Sequence, residues 1–336
     1  MSTGTGPVLV MGAGAVGCVI GGVLQAAGAV VHLVGRAGVL QALGEHGLTL
    51  TDLDGGHRVL PAGSLRLHAA PPPGLAPALV LLCVKSGATA EAAAQLAAAV
   101  PPGTLVVSMQ NGIGNAATAQ AAAPGLTIRP GVVAFNAAAL APGRYHRGTS
   151  GALAAQDHPA LRSWQPVFAA AGLPLALHAD LRPLQWGKLL MNLNNPVNAL
   201  SGLPLRAQLL DRGYRRIVAA LQDEALAALA AAGIRPARVG PLPPRWQPAA
   251  LRLPTPLFER LAARALRVDA QARSSMADDL ARGRPTEADA LCGEVVRLAT
   301  ANGRSAPLNA RLLALMAAPP RQPMSAAELQ AALASS

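Results

Sequence analysis

The sequence predicts an α/β protein in two parts, a parallel-sheet domain over residues 1–179 and an all-helical domain over residues 180–336. Three observations carry that reading. A glycine-patterned turn, Gly12-Ala13-Gly14-Ala15-Val16-Gly17, stands between two short apolar runs. Up to about residue 180 such runs alternate with alanine-rich stretches of helical length, the pattern of a doubly wound sheet. Beyond that point strand-like runs stop and helical periodicity continues, interrupted by prolines between Pro241 and Pro256.

Pro7 to Met11 reads as a short buried strand, the glycine turn opens a small-residue helix ending near Ala27, and Ala29 to Val34 reads as a second strand. Strand, tight turn, helix and strand within about thirty residues is the unit of a Rossmann-type dinucleotide-binding domain. Gly12 permits the turn, Gly14 lets backbone approach a pyrophosphate, and Gly17 allows helix to pack closely on strand. The helix start, at Ala13, Ala15 and Val16, offers amide donors to a phosphate. The second strand runs into Gly35-Arg36, where an NAD-binding chain is expected to carry a carboxylate for the ribose hydroxyls. Arginine there can pair with a 2′-phosphate, which favours NADP(H).

Leu79 to Val84 and Leu105 to Ser108 extend the sheet, with a helix from about Ala88 to Val100 between them. Lys85 follows the first of these strands, and Gln110-Asn111-Gly112 follows the second. The tripeptide places an amide side chain at the carboxyl end of its strand, where open α/β sheets bind ligands, although by itself it reads first as an ordinary turn signal. Gly131 to Ala134 and Gly151 to Ala154 read as edge strands.

Composition narrows the function. Hydrophobic residues make up 51% and aromatic residues only 2%, so alanine and leucine fill the cores and helices are favoured. No uncharged apolar stretch reaches the length of a membrane span. No basic segment, apolar run and cleavage site mark a secretory leader, and a cytoplasmic protein is expected. Cys18, Cys83 and Cys292 are too few and too far apart for a disulfide framework or a metal site, and read as small buried hydrophobes. The net charge of +11 is spread without a basic block and without stacking aromatics, which argues against nucleic acid and for an anionic small ligand.

Only two of the 28 basic residues are lysines, Lys85 and Lys188. Arginine holds its proton at any working pH, whereas burial can lower a lysine until it serves as a proton donor. Lys188 opens a segment in which four of the chain's nine asparagines fall within seven residues, at Asn192, Asn194, Asn195 and Asn198. Offsets of four and seven place Asn192 and Asn195 on the helical face of Lys188. Pro196 removes the backbone donor for the carbonyl of Asn192, so a kink is expected. A helix-ending loop accounts for the same residues if Lys188 is set aside.

The glycine turn, Arg36, Lys85, Gln110-Asn111-Gly112, the Lys188 to Pro196 segment, Ser274-Ser275-Met276 and Glu287 occur in the order seen in ketopantoate reductases (2-dehydropantoate 2-reductases), and the chain resembles that family along essentially its whole length. The resemblance implies an NADP-binding domain, a helical domain, and NADPH-dependent reduction of 2-dehydropantoate to (R)-pantoate in pantothenate biosynthesis. By that resemblance Lys188 is the general acid and Glu287 a catalytic, substrate-side carboxylate. Asn192 and Asn195 contact the substrate or hold the lysine in place, and Ser275 binds the substrate carboxylate. Gly12 to Gly17, Arg36, Lys85 and Asn111 bind the cofactor. No metal is implied, and a homodimer is one option for the assembly.

Two positions depart from the family pattern. Asn195 comes seven residues after the lysine where eight is usual, and Ala272 stands where a substrate-binding asparagine is expected three residues before the serine. Asn194 or Asn198 are candidates to replace that amide. Both departures concern the substrate side, so reduction of another small 2-oxo acid or ketone is the alternative. A non-catalytic NADP(H)-binding sensor is the alternative of another class.

Overall fold

The computed structural model describes residues 6–149, 151–263, 272–320 and 322–334. The chain divides into two compact units, Met1–Leu181 and Arg182–Ser336.

Among the described residues the first unit carries twelve strands: β1 (Val8–Met11), β2 (Val31–Val34), β3 (Leu48–Asp52), β4 (His57–Leu60), β5 (Arg66–His68), β6 (Leu79–Leu82), β7 (Leu105–Ser108), β8 (Thr127–Val133), β9 (Ala137–Ala141), β10 (Arg144–Arg147), β11 (Leu153–Gln156) and β12 (Leu175–His178). Eight of them form one sheet in the order β12-β11-β8-β7-β6-β1-β2-β5. Every pairing in it is parallel except β8 with β11. The central strands are apolar runs because both faces are covered. Val8 and Val10 enter one core with Leu33, Leu79 and Leu81, while Leu9 and Met11 enter the other with Val34, Val80 and Leu82. The helices are α1 (Ala15–Ala26), α2 (Ala37–His46), α3 (Thr89–Ala99), α4 (Asn115–Ala122), α5 (Pro159–Arg162) and α6 (Gln165–Ala170). Alanines and leucines of α3 and α4 fill the second core.

Two sequence expectations need correction. The segments around Gly131–Ala134 and Gly151–Ala154 are not edges: β8 lies between β7 and β11, and β11 between β8 and β12. A second sheet, in the order β4-β3-β10-β9, was not anticipated. Leu48, Leu50 and Tyr145 of that sheet share a core with Val19 and Val23 of α1, so α1 is covered on the side away from the large sheet as well.

Every regular element of the second unit, among the described residues, is helical: α7 (Arg182–Asn192), α8 (Asn194–Ser201), α9 (Leu205–Leu210), α10 (Arg212–Ala231), α11 (Gln247–Leu251), α12 (Thr255–Ala262), α13 (Ser275–Ala281), α14 (Glu294–Ala301), α15 (Pro307–Ala317) and α16 (Ala326–Ala334). The prolines between Pro241 and Pro256 start helices rather than only ending them, since Pro248 and Pro256 occupy first-turn positions that need no amide hydrogen. The unit is pinned by Arg215 of α10. Its fully buried guanidinium donates to the carbonyls of Leu209, Leu210, Leu251 and Leu253 and lies 4.3 Å over the ring of Phe258. Four bonds reach carbonyl oxygens and a fifth, from Nη2, the hydroxyl of Thr255 at 3.2 Å, which is how a buried guanidinium is tolerated inside. Among the described residues no helix is long and apolar enough to cross a membrane.

Candidate active site

The glycine turn joins β1 to α1. Gly12 has φ +114°, and a Cβ on it would stand 2.7 Å from the backbone of Cys83, so the turn and the approach to β6 both require glycine. A Cβ on Gly17 would lie 2.1 Å from the carbonyl oxygen of Gly12. Gly14, by contrast, is exposed with open space in front of it. The amides of Gly12 and Ala13 both donate to the carbonyl of Val34, at 3.0 and 2.8 Å. The first-turn amides of α1, on Ala15, Val16 and Gly17, have no carbonyl within their helix to bond, and they open beside Gly14. An exposed helix start behind a bare-backbone residue is a cradle suited to the pyrophosphate of a dinucleotide.

Around this cradle, Arg36 sits at the start of α2, exposed and one residue beyond Gly35, which follows β2. Lys85 is exposed in the loop after β6, and Asn111 is partly buried after β7. The two loops are tied to each other. Ser86 Oγ donates to the carbonyl of Asn111 at 3.4 Å. Buried Gln110 donates through Nε2 to Val84 O at 3.0 Å and to Thr89 Oγ1 at 2.7 Å, and accepts from Ser108 Oγ at 2.8 Å. Thr89 in turn donates to Asn115 Oδ1 at 3.0 Å. A fully connected polar network of this kind fixes loop geometry.

In the second unit, α7 carries Lys188 and Asn192 one turn apart. Gly187 brings the helix hard against the carbonyl of Ala237, and Ala237 N donates to Pro183 O at 2.7 Å. Gln222 of α10 holds the far end, donating through Nε2 to the carbonyl of Leu190 at 3.0 Å. The helix breaks at Leu193, as Pro196 requires, and α8 begins at Asn194. Asn195 therefore belongs to the next helix, just beyond the break, and Lys188 and Asn195 do not share one continuous helix. Lys188 is partly buried, and burial pushes its ammonium down to about 8, while the opposite charge of Glu287 acts to raise it. Glu287 stands in the loop just before a wide helical turn, Asp289–Gly293, in which Gly293 N reaches back to Ala288 O. Arg297 clamps that turn through Asp289 Oδ1 at 2.9 Å.

Ser274 caps α13, its Oγ accepting from Ala277 N at 3.2 Å and donating to the carbonyl of Asn195 at 3.3 Å. Ser275 is the first residue of that helix and partly exposed. Asn198 cannot serve as the replacement amide for Ala272. It is fully buried, accepting from Ser274 N at 2.9 Å and donating to Leu203 O at 3.0 Å. Asn194 accepts from the buried Gln208 Nε2 at 3.1 Å.

A family model described as ketopantoate reductase PanE/ApbA matches residues 8–160, and one described as ketopantoate reductase PanE/ApbA C terminal matches residues 180–319. The chain belongs to the ketopantoate reductase family. Its curated relatives include the 2-dehydropantoate 2-reductase of Halobacterium salinarum, 29% identical over 306 residues that cover 87% of this chain and 91% of that one. A PanE/ApbA family ketopantoate reductase from Ralstonia eutropha superposes with a TM-score of 0.77 at 30% identity, over 93% of this chain and 97% of that one. The ternary structure of a D-mandelate dehydrogenase with NADH and anilino(oxo)acetate shares the fold, with a TM-score of 0.77 at 20% identity over 97% and 99% of the two chains. As a ketopantoate reductase family member, the chain is an NADP(H)-dependent oxidoreductase.

Within this ketopantoate reductase fold, the residues singled out from sequence fall into two sets. Gly12 to Gly17, Arg36, Lys85 and Asn111 lie at carboxyl ends of strands in the first unit. Lys188, Asn192, Asn195, Ser275 and Glu287 lie in the second, where Ser274 ties α13 to Asn195 and Glu287 acts on Lys188. The supporting residues Thr89, Asn115 and Gln222 escaped the sequence reading, and Asn198, expected on the substrate side, is a buried support instead. Polar residues buried by tertiary contact carry no local signal, although the density of asparagines around Asn198 pointed to the region. Burial pushes the thiols of Cys18, Cys83 and Cys292 up to about 12, so none is a nucleophile near neutral pH.

Proposed function

We propose that this protein reduces 2-dehydropantoate to (R)-pantoate, with NADPH preferred over NADH. The observation that carries the proposal is the ammonium of Lys188, lowered by burial to about 8 and faced by the charge of Glu287. Such a group is still protonated at neutral pH yet gives up its proton far more readily than an ordinary lysine. When bound, NADPH supplies the hydride that reduces the substrate's C2 carbonyl carbon. Lys188 Nζ donates its proton to the C2 oxygen as negative charge grows there, and Glu287 favours reprotonation of the lysine from solvent. Asn192 and Asn195 hold the substrate by their amides, and the Ser275 hydroxyl donates to its carboxylate. On the cofactor side, the first-turn amides of α1 hold the pyrophosphate, Arg36 the 2′-phosphate, and Lys85 and Asn111 complete the site. The family assignment along the whole chain supports this reading, and a sensor without catalysis has no use for a lysine tuned in this way.

A second substrate is favoured by one feature. Ala272 lacks the amide that the family pattern places there, so another small 2-oxo acid is the competing substrate. Initial rates with NADPH on 2-dehydropantoate beside a panel of branched and aromatic 2-oxo acids test the assignment. 2-Dehydropantoate is expected to give the highest kcat/KM, and a tenfold or larger preference for another acid, about 1.4 kcal/mol of transition-state binding, would move the assignment to that acid.

A further inference from the structure

Three successive residues ahead of α13 are each fastened to the stretch from α8 to the start of α9. The carbonyl of Ala272 accepts from Leu205 N at 2.8 Å, Arg273 Nη2 donates to Gly202 O at 2.6 Å, and Ser274 N donates to Asn198 Oδ1 at 2.9 Å. The last of these is the buried one. Asn198 is fully enclosed and has both ends of its amide engaged, since Nδ2 donates to Leu203 O at 3.0 Å. Its own backbone carbonyl accepts from Ser201 Oγ at 2.8 Å, and that oxygen accepts from Leu203 N at 3.2 Å, which closes the turn around the side chain. An apolar residue of similar shape would leave the Ser274 amide and the Leu203 carbonyl without these partners. What the amide adds is direction: it sets the height and rotation of the Ser274 backbone, and Ser275 is the next residue.

We propose that Asn198 is a positioning residue for the reduction, acting through Ser274 to fix where the Ser275 hydroxyl stands. The proposal rests on the reading of Ser275 as a substrate-binding residue. Loss of the Asn198 amide leaves Lys188, Glu287 and the cofactor residues untouched, so the effect should appear in substrate affinity and spare both the chemistry and NADPH binding.

The test is a mutant cycle of Asn198→Leu and Ser275→Ala, assayed with NADPH and 2-dehydropantoate. Asn198→Leu should raise KM for the oxo acid about tenfold, with kcat and the KM for NADPH within about twofold of the parent. Ser275→Ala should do the same, and the double variant should be no worse than about twofold beyond Ser275→Ala, because a missing hydroxyl cannot be misplaced. If the leucine variant does not accumulate folded, Asn198→Ser carries the same cycle. A Ser275→Ala variant with unchanged KM removes Ser275 from the substrate site, and the proposal falls with it. A raised KM in Ser275→Ala, with Asn198→Leu either silent on KM or additive to it, overturns the positioning role alone and leaves Asn198 as a residue of the fold.

Discussion

Gly187 and the carbonyl of Ala237 are in such close approach that a Cβ built on the glycine would stand 2.1 Å from the Ala237 oxygen. That contact seats the helix whose next residue is Lys188. The obstructing atom is backbone, held in turn by the bond from Ala237 N to Pro183 O, and cannot swing aside. Gly187→Ala should therefore destabilise the protein by about 1 to 3 kcal/mol, the usual range for overpacking, and displace α7. Thermal or urea unfolding checks the stability, and turnover should fall with it. Wild-type stability in Gly187→Ala would mean that the chain near Ala237 yields.

The lowered ammonium of Lys188 makes a prediction with two signs. If the lysine must be protonated to donate to substrate oxygen, the rate of carbonyl reduction falls as pH rises through about 8. Its contribution to stability moves the other way. Between about 8 and the ordinary lysine value of 10.5 the unfolded state holds the proton and the native state does not, so stability from this residue rises with pH. Below about 8 the native state bears the full cost of a charged buried amine, about 3 kcal/mol from the size of the shift. Lys188→Met should relieve that cost at neutral pH while abolishing the pH-dependent arm of the rate. Lys188→Arg keeps the charge and should lose about 10² to 10⁴ in turnover, since guanidinium is a far weaker acid. Pre-steady-state rates and denaturant titrations from pH 6 to pH 10 measure both arms, and an arginine variant with normal turnover would remove Lys188 from proton transfer.

The glycine turn, the apolar runs of the central sheet and the change to helix near residue 180 are local patterns, and all were legible. The break in the Lys188 helix was legible too, because Pro196 forces it whatever surrounds it. The second sheet was not. Its strand β9 is mostly alanine, a poor strand former, and β3 finds its parallel partner β10 far along the chain, so nothing local announces the pairing. The roles of Asn194, Asn195 and Asn198 could not be separated in sequence for the same reason. Only tertiary contact shows Asn198 committed to Ser274 and Leu203, Asn194 bonded to Gln208, and Asn195 offering its carbonyl to Ser274.

Arg36 stands just past Gly35 at the end of β2 and is exposed at the start of α2, the place where a carboxylate would select the unphosphorylated ribose. Charge-assisted bonds from a guanidinium to a 2′-phosphate contribute about 1.5 to 3 kcal/mol, and NADH lacks their acceptor. Arg36→Ala should accordingly raise the KM for NADPH about ten- to a hundredfold and change that for NADH by less than about threefold. Equal losses for the two cofactors would show that Arg36 does not read the phosphate.

Ala272 offers the most direct probe of the substrate. Its carbonyl is fixed by Leu205 N at 2.8 Å, so an asparagine placed there inherits a defined backbone position. If the position faces the substrate, Ala272→Asn adds a donor and an acceptor that a hydroxylated acid such as 2-dehydropantoate can satisfy and a purely aliphatic 2-oxo acid cannot. An unpaired amide against the aliphatic acid is penalised, whereas the hydroxylated acid gains a bond, so the ratio of their kcat/KM values should shift by about tenfold or more toward 2-dehydropantoate. Competition assays with both acids in one mixture give that ratio directly. An unchanged ranking, in a variant whose NADPH affinity and unfolding midpoint match the parent, would place residue 272 outside the substrate pocket and return the question of selectivity to Asn192 and Asn195.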